Sequence, residues 1–352
     1  MNRILVILLA VSIVFSIVSC SRNVTSKTDT GRTAEKKEDV KSTESKSLVV
    51  YTPSATDVMN VCIPEFEAKT GIKVDIVTAG TGELLKRIEA EQGNPVGDIE
   101  WGGVVSVIAP KQYLFEPYKS PNESALLDSC KNTEGMITRN NIIPMVLLVN
   151  KNLIGDIKIN GYADVLNPKL KGKIAFADPA KSSTSITHIV NMLYTIGATD
   201  QNKGWDYIKN LIKNLNGKLL TNSEAVPNGV AAGEYVVGLT HEELASATVR
   251  KGFPVEIVYM NEGVVVSPGT VQVIKGAKNL ENAKKFVDFM TSKELQMLTA
   301  TKLSMRASRN DVPAPSGLMQ IKDFNIVQVD IKNVLANNQA WLDKFKAIYS
   351  SK

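Results

Sequence analysis

The strongest constraint on the fold is a regular alternation of β-branched runs and amphipathic stretches near the start of the chain. From residue 47 to residue 101 the pattern predicts strand, helix, strand, helix and strand in turn, over SLVVYT (47–52), 57–69, IKVDIV (72–77), 79–92 and GDIEW (97–101). Thr70-Gly71 is a typical helix end. Strands that alternate with helices in this way predict an α/β fold with a parallel sheet.

The alternation restarts after a further predicted strand, MVLLVN (145–150). A strand, a Ser/Thr-rich turn and a helix follow over 173–197. Later segments add predicted strands at 217–220, 234–240, 255–260 and 270–276 and an amphipathic helix at 279–292. Two similar α/β blocks, followed by a strand and helix that return to the first block, predict two lobes around a cleft, with hinges near Asn150 and 264–270.

The N-terminus has the features of an export signal. Arg3 precedes an apolar run over 4–18, and Ser19-Cys20 follows, so residues 1–20 are expected to direct secretion. The cysteine after Ile-Val-Ser also resembles a bacterial lipobox, which implies lipidation of Cys20; the alternative is an ordinary signal with an incidental cysteine. Residues 21–47 are almost entirely polar and predict a flexible tether between a membrane anchor and the globular body.

Charge and cysteine content exclude some classes of function. The formal net charge of +5 is spread evenly without a basic block, so nucleic-acid binding has no support. Cys62 and Cys130 remain once the signal is removed. Outside the cytosol they could form a disulfide or stay as buried thiols, and the sequence leaves both possibilities open.

Several motifs, in their order, resemble a known family of binding proteins. They are FEAKTGIKVDIVTAGTGELLKRIEAE, GDIEWGG, LNPKLKGKIAFADPAKSSTS, AAGEYVVGLTHEE and GAKNLENAKKFVDFMTS. They resemble the solute-binding proteins of ABC importers, in the ferric-iron-binding-like family that also contains binders of phosphonates and sugar phosphates. The resemblance extends from about residue 48 to about residue 300.

The resemblance implies a type II periplasmic-binding-protein fold. Each lobe would be a mixed sheet flanked by helices, with the ligand cleft between the lobes. Lobe 1 would comprise 48–148 and 265–305, and lobe 2 would comprise 149–264 and 306–352. A member of this family would be a monomer without a cofactor, lipid-anchored at the periplasmic face of a bacterial membrane, and would deliver its solute to an ABC permease in the inner membrane.

Three predicted helix starts carry small hydroxyl and glycine residues. A helix N-terminus offers unpaired N–H groups and a positive dipole end, which suit a phosphate group. In this family these strand ends face the cleft. The resemblance therefore implies a phosphate or phosphonate site at Ser54, Ala55 and Thr56, at Gly80, Thr81 and Gly82, and at Ser182, Ser183, Thr184 and Ser185.

Ferric-iron members of the family hold the metal through adjacent tyrosines after a strand that resembles EYVVGLT. At this place the chain has Glu242 and Glu243 instead. Carboxylates and an imidazole can also hold a hard cation, so His241, Glu242 and Glu262 form the alternative, metal-binding interpretation.

The same three residues also suit an uncharged ligand end. Carboxylates and a histidine are good partners for hydroxyl groups, because they accept several hydrogen bonds. His241, Glu242 and Glu262 match residues of sugar-phosphate-binding relatives, while Glu243 is expected on the outer face of its helix. The sequence thus favours a hexose phosphate, with an aminophosphonate and ferric iron as alternatives.

Catalytic motifs give no support to an enzyme. The string HEELA has Ala245 where the zinc-protease motif HExxH needs its second histidine. Neither a GxSxG nucleophile elbow nor a phosphate-binding P-loop occurs. We therefore expect a binding protein rather than an enzyme.

Overall fold

A single long strand connects the two halves of the molecule. The structure, a computed structural model, describes residues 45–133 and 135–351. The strands are β1 Ser47–Thr52, β2 Lys73–Thr78, β3 Ile99–Val104, β4 Thr138–Asn150, β5 Ile174–Ala175, β6 Val237–His241, β7 Val255–Val258, β8 Val266–Val273 and β9 Arg306–Ala307. The first half of β4 pairs with β8 and β9, and its second half, from Met145, pairs with β6 and β7.

Helices cover both parts of this sheet. They are α1 Thr56–Thr70, α2 Thr81–Ala90, α3 Val105–Ile108, α4 Tyr162–Val165, α5 Ser183–Thr195, α6 Gln201–Leu215, α7 Ala225–Ala231, α8 Glu242–Arg250, α9 Leu280–Met290, α10 Lys293–Leu303 and α11 Ile331–Ser350. Short 3₁₀ helices lie at Ala109–Leu114, Pro121–Ala125, Asp128–Cys130, Pro168–Leu170 and Ile321–Asp323. Among the described residues, no helix is both long and apolar enough to cross a bilayer.

The sheet is mixed, and its order explains why. Strands β2, β1 and β3 are parallel, as the strand–helix alternation predicts. Strand β8 then inserts antiparallel between β3 and β4, and β6 runs antiparallel to β4. The predicted return of a late strand to the first sheet is therefore confirmed. The predicted parallel arrangement is found for β2, β1 and β3, but it is wrong for the centre of the molecule, where β8 and β6 are antiparallel to β4.

Separate apolar cores support the two parts. In the first part, Phe66 of α1 packs edge-on against Phe286 of α9, at 5.0 Å between ring centroids, and Trp101 of β3 joins them. In the second, Tyr162 and Trp205 are buried against β6. Burial of large aromatic side chains of this kind dominates the stabilisation of a core.

The C-terminal segment contacts both parts. Strand β9 joins the first sheet beside Asn141 and Ile142. Helix α11 places Val334, Trp341 and Phe345 in the core of the second part and also packs against α3. The side chain of Asp330 caps its first turn by accepting a hydrogen bond from the amide of Asn333 at 3.2 Å.

Most predicted elements occur within a few residues of their expected ends. Helix α1 ends at Gly71, whose φ of +70° is the left-handed conformation that glycine favours at a helix C-terminus. The predicted strand at 217–220 is wrong, because only Leu220 forms a bridge there, to Ala177. The predicted signal at 1–20, the lipidation site Cys20 and nearly all of the tether lie outside the described residues, and Ser47 is the first residue of β1.

Candidate functional site

A small cavity lies where the ends of β1, β3 and β6 meet the middle of β4 and β8. Its wall combines polar and apolar residues: Pro53, Ser54, Ala55, Val58, Trp101, Gly102, Gly103, Val104, Asn140, Asn141, Ile143, Met145, Ser183, Thr184, Ser223, Glu224, His241, Glu243, Leu244, Gly269, Thr270 and Met305. None of these lining residues, as far as the structure describes the chain, is Lys or Arg. Any anion held here must therefore be bound by backbone amides and neutral side chains.

Bulges on both sides of β8 shape the cavity wall. The register shifts between Arg139 and Asn141 of β4, and again between Trp101 and Val104 of β3, in both cases opposite Gly269 and Thr270. A bulge inserts an extra residue and re-aims side chains. Here it brings the consecutive residues Asn140 and Asn141 to the same cavity.

Glycine is required at the centre of this arrangement. A Cβ on Gly269 would lie 2.0 Å from the Oδ1 atom of Asn141. Gly103, with a φ of +69°, would place a Cβ 2.8 Å from a methyl group of Thr81. The side chains of Asn141 and Thr81 thus pack directly against the Cα atoms of these two glycines.

Helix starts converge on the cavity, as the sequence predicts for two of the three hydroxyl-rich sites. Ser54 and Ala55 precede α1, Ser183 and Thr184 begin α5, and His241 precedes α8. The N-cap residues of α1 and α8, Ala55 and His241, form no side-chain capping bond. The first amides of these helices therefore remain without a side-chain cap, as at an anion-binding helix end.

His241 is held in its neutral form. Its Nδ1 atom lies 2.9 Å from the Thr184 hydroxyl, so Nε2 is the nitrogen left for a solute. Burial, together with the nearby His188, lowers the pKa of His241 to about 3. A neutral imidazole can donate or accept a hydrogen bond at Nε2, and it adds no positive charge to the cavity.

His188 supports this position from behind. Its Nδ1 lies 2.6 Å from the Tyr162 hydroxyl and its Nε2 lies 2.8 Å from the carbonyl of Thr240. Asn191 donates to the same tyrosine hydroxyl, so the tyrosine donates to Nδ1 and the imidazole donates from Nε2. His188 is fully buried, and burial lowers its pKa to about 4. It is therefore a packed residue that fixes the end of β6.

Glu243 lies on the cavity wall, not on the outer face of its helix as the sequence suggests. Its side chain is half-buried, and its Oε2 atom accepts a hydrogen bond from Asn141 Nδ2 at 3.3 Å. Burial raises the pKa of Glu243 to about 7, opposed by Arg250 and by the bond from Asn141. The cavity carboxyl group is therefore near its midpoint of titration at neutral pH.

Asn140 has a buried side-chain oxygen without a hydrogen-bond partner. It is only 5% exposed, and its Oδ1 atom has no hydrogen-bond partner. Its backbone carbonyl is engaged by Gln296, which fixes the residue. Buried polar atoms are nearly always hydrogen-bonded, so an unpartnered one on a cavity wall is a candidate ligand contact.

The structure places the two other carboxylates of the expected site away from this cavity. Glu242 points to the opposite side of α8, where Arg306 binds it through both carboxylate oxygens and Tyr259 donates to it. Glu262 accepts a hydrogen bond from the amide of Ala163 at the start of α4. Consecutive residues of a helix point about 100° apart. For this reason Glu243 faces the cavity and Glu242 does not.

The metal-binding alternative needs His241, Glu242 and Glu262 together, and they are not assembled. Within residues 45–133 and 135–351, no group of three or more His, Cys, Asp and Glu side chains is arranged to hold a metal ion. Cys62 and Cys130 are both buried and are not joined to each other, so the structure has free thiols at both positions.

The remaining predicted residues form contacts between the two parts of the molecule. The amide of Gly82 donates to the Lys181 carbonyl at 3.4 Å, and Lys181 pairs with Glu83 at 2.9 Å. The Thr81 hydroxyl donates to Ser183. A Cβ on Gly80 or Gly82 would lie 2.4 Å or 2.0 Å from the carbonyl oxygens of Lys181 and Ala180. These glycines therefore permit close contact with the 180–181 turn rather than with a solute.

The other members of the predicted set have local roles. Ser182 caps α5 through Ser185 N and pairs with Ser223, and Ser185 is buried beneath the helix start. Thr56, the first residue of α1, is exposed. Asn140, Asn141, Glu243, Gly269 and Thr270 are cavity residues that the sequence did not reveal. The sequence signal for them is limited to the Asn-Asn pair that precedes the apolar part of β4.

Comparison with known proteins identifies the family. The model of the bacterial extracellular solute-binding proteins matches residues 48–300. The chain belongs to this family. Among solved structures, the chain is similar to AfuA from Actinobacillus pleuropneumoniae with exogenous fructose-6-phosphate bound, with a TM-score of 0.80 at 27% identity over 87% of this chain and 99% of AfuA.

Relatives with named ligands differ from one another. Iron uptake protein A1 of Synechocystis is 25% identical over 73% of this chain and 74% of that protein. A putative 2-aminoethylphosphonate-binding periplasmic protein of Salmonella typhimurium is 24% identical over 66% of this chain and 68% of its own length. The solute-binding protein thus has the two-lobe, type II fold of a periplasmic component of an ABC importer, as the sequence motifs imply, while the relatives do not agree on a solute.

Proposed function

We propose that this solute-binding protein captures a small phosphorylated organic solute, with a hexose phosphate as the first candidate, and delivers it to an ABC permease. The main support is the convergence of three helix starts and the neutral His241 on one cavity. Uncapped helix amides suit a phosphate, and His241 and Asn140 suit hydroxyl groups. The likeness to AfuA, whose structure contains fructose-6-phosphate, supports the same choice.

The cavity is larger than a single-ion site, although in this structure it is smaller than a hexose phosphate. The centres of water molecules have about 70 Å³ of space inside it. One water needs roughly 10–15 Å³ by this measure, so the cavity holds on the order of five waters. This is more room than a bare metal ion needs.

A second candidate is an aminoalkylphosphonate. The observation that favours it is Glu243, a carboxyl group on a cavity wall whose described residues include no cation. An ammonium group would pair with the ionised form of this carboxyl. The Salmonella relative supports this candidate as well. Ferric iron has the support of the Synechocystis relative, but the described residues offer no cluster of metal ligands.

The bounds of the two proposed lobes can be compared with the pairing of the strands. Lobe 1 comprises 48–148 and 265–305, and lobe 2 comprises 149–264 and 306–352. The passage of β4 from one set of partners to the other at Pro144 and Met145 supports a hinge in this strand, and the start of β8 supports a second crossing beside it. The strand pairing changes these bounds at two places in this proposal: residues 145–148 pair with β6 and move with lobe 2, and Arg306–Ala307 of β9 pair with the first sheet and move with lobe 1.

Export and anchoring complete the proposal. The signal at 1–20 directs secretion, Cys20 carries the lipid, and the polar segment up to residue 46 tethers the body to the periplasmic face of the membrane. Metabolic labelling with palmitate tests this part: the wild-type chain incorporates the label and the Cys20→Ala variant does not. Labelling of both, or of neither, contradicts the lipid anchor.

The solute is tested by calorimetry and by thermal shift. The panel contains glucose-6-phosphate, fructose-6-phosphate, 2-aminoethylphosphonate, inorganic phosphate and ferric citrate. A ligand that binds only the folded state raises the melting temperature. Hexose phosphates should give the largest shifts, and His241→Ala should weaken them by about tenfold or more, the equivalent of losing one hydrogen bond of about 1.5 kcal/mol.

Two outcomes decide between the candidates. Glu262→Ala is the control, since its carboxylate lies at α4, away from the cavity, and the affinity should not change. Stabilisation by ferric citrate alone contradicts the proposal in favour of iron. Stabilisation by 2-aminoethylphosphonate but not by hexose phosphates replaces the first candidate with the second.

A further inference from the structure

A phosphorylated solute in this cavity meets a carboxyl group without a compensating cation. Glu243 lies on the wall, and no Lys or Arg belongs to the described lining. Two negative charges in a partly desolvated site repel each other strongly, because the dielectric screening there is weak. The site can remove this repulsion by protonating the carboxyl group.

The contacts of Glu243 leave room for a proton. Its Oε2 accepts a single hydrogen bond, from Asn141 at 3.3 Å. An ionised carboxylate in a protein usually accepts several hydrogen bonds or pairs with a cation, as Glu242 does with Arg306 one residue earlier. Glu243 therefore has the surroundings of a neutral acid, whose O–H can donate to a solute oxygen.

The charged and titratable groups around Glu243 do not hold it ionised. Arg250, on the same helix, acts on it only at a distance and donates to the Leu303 carbonyl. Cys62 of α1 is close enough to be affected by Glu243, and burial raises the pKa of this thiol, so it stays neutral. Across the cavity are Glu224, which is acidic, and His241, which is uncharged.

From this geometry we infer that Glu243 is a specificity-determining residue that binds the solute in its protonated form, so that capture takes up one proton from the solvent. The inference rests on the proposed function. The protonated carboxyl donates a hydrogen bond to a phosphate or hydroxyl oxygen. Burial raises the pKa of this carboxyl group to about 7. Protonation therefore costs little free energy near neutral pH.

The buried Asn140 is independent support for a solute at this place. Asn140 lines the same cavity as Glu243 and Asn141, is nine-tenths buried, and has an Oδ1 atom without a hydrogen-bond partner. The unpartnered acceptor of Asn140, the protonated Glu243 and the neutral His241 together suit a solute that carries hydroxyl groups. They do not suit a compact trivalent cation, which requires anionic ligands.

Calorimetry with fructose-6-phosphate in two buffers of different ionisation enthalpy measures the protons taken up. At pH 8 the wild-type protein should take up close to one proton per solute. Its affinity should fall with rising pH above about 7, by up to tenfold per pH unit, as one-proton linkage requires. Glu243→Gln keeps the shape and the donor, so it should bind without proton uptake and with an affinity that changes little between pH 7 and pH 9.

Glu224→Gln is the matched control, because it removes the other carboxyl group of the described cavity lining and should leave the proton uptake unchanged. Proton uptake that persists in Glu243→Gln would locate the proton on the phosphate, and binding without any uptake would show Glu243 ionised in the complex. Either result overturns the inference while leaving the proposed function intact.

Failure of the proposed function gives a different result. If fructose-6-phosphate and the other phosphorylated compounds do not bind at any pH, the solute class is wrong and the inference falls with it. Tight binding of 2-aminoethylphosphonate that strengthens as the pH rises, and that is lost in Glu243→Gln, would instead mean that the ionised carboxylate pairs with an ammonium group.

Discussion

Arg306 binds Glu242 through two hydrogen bonds, from Nε to Oε2 at 2.6 Å and from Nη2 to Oε1 at 2.8 Å, with both side chains buried. The pair joins α8 to β9. The next residue along the helix, Glu243, has no such partner and faces the cavity. Two adjacent glutamates thus have different surroundings: one connects helix α8 to the C-terminal segment, and the other lines the cavity.

The first prediction separates these two residues. Glu242→Gln should destabilise the protein by about 3–5 kcal/mol, because it leaves the Arg306 guanidinium buried without its counter-charge. Glu243→Gln is the matched control on the same helix and should change the free energy of unfolding by less than about 1 kcal/mol, since Gln replaces a half-buried acid without a buried counter-charge. Urea unfolding measures both. Equal stabilities of the two variants would contradict the assignment.

The second prediction concerns the contact between α2 and the 180–181 turn. Gly82→Ala would place a Cβ 2.0 Å from the Ala180 carbonyl oxygen, so the two parts can no longer approach as closely. The affinity for the solute should fall at least tenfold while the fold is kept, because the binding-competent, closed state becomes less populated. Calorimetry gives the affinity, and small-angle scattering should show a more open molecule.

Gly93→Ala is the control for this variant. A Cβ on Gly93 meets no atom within 4 Å, and its affinity should equal that of the wild type. If Gly82→Ala binds the solute as tightly as Gly93→Ala does, then the contact between Gly82 and the 180–181 turn is not part of closure.

The third prediction uses the small number of histidines. Burial lowers the pKa of His188 to about 4 and that of His241 to about 3, against 6.5 for the free side chain. Proton NMR of an untagged protein should therefore show neither imidazole titrating between pH 5 and pH 8. A midpoint above pH 5.5 for either signal would mean that its surroundings are wetter than the structure shows.

The same shifts give the sign of the effect on stability. In the unfolded chain the two histidines bind protons below pH 6.5, whereas in the folded protein they stay neutral until about pH 4 and 3. The unfolded state therefore binds more protons at these two positions, and the contribution of the histidines to stability falls as the pH decreases below about 6.5. Urea midpoints of the wild type and of His188→Asn at pH 6.5 and pH 4.5 test this direction, because the difference between the two proteins should shift in favour of the variant at the lower pH.

The sequence predicts the framework better than the site. Period-two and period-3.6 patterns give β1, α1, β2, α2 and β3 nearly residue by residue, because all of them except the edge strand β2 bury apolar side chains. The antiparallel insertion of β8 between β3 and β4 depends on pairing distant in the chain, which no local pattern records. The family resemblance implies a mixed sheet in each lobe, but it does not say which strands are antiparallel.

The prediction of site residues is limited because the orientation of single side chains cannot be predicted from the sequence pattern. His241 is correctly brought to a cleft at the end of β6, but a rotation of one residue decides whether Glu242 or Glu243 faces it. Asn140 and Asn141 reach the cavity through a bulge, and a bulge leaves no sequence pattern beyond two polar residues in a strand. The sequence predicts a solute contact at Gly80-Thr81-Gly82, whereas in the structure the two glycines contact the 180–181 turn.

The last prediction concerns Glu100, a fully buried carboxyl group on β3. Its Oε2 atom accepts a hydrogen bond from Gln272 Nε2 of β8, while Glu100 Oε1 and Gln272 Oε1 have no donor. Burial raises the pKa of Glu100 well above 4.5, so the group is a neutral acid whose O–H suits the unpartnered side-chain oxygen of Gln272.

The sign of its contribution follows from linkage. The folded state keeps the proton of Glu100 above pH 4.5, where the unfolded chain loses it, so this stabilisation is complete at low pH and decreases as the pH rises. In Glu100→Gln an amide pair replaces the acid–amide pair without a titrating proton. The variant should therefore gain stability relative to the wild type between pH 5 and pH 8. A difference in urea midpoint that does not depend on pH would mean that Glu100 is ionised in the folded protein.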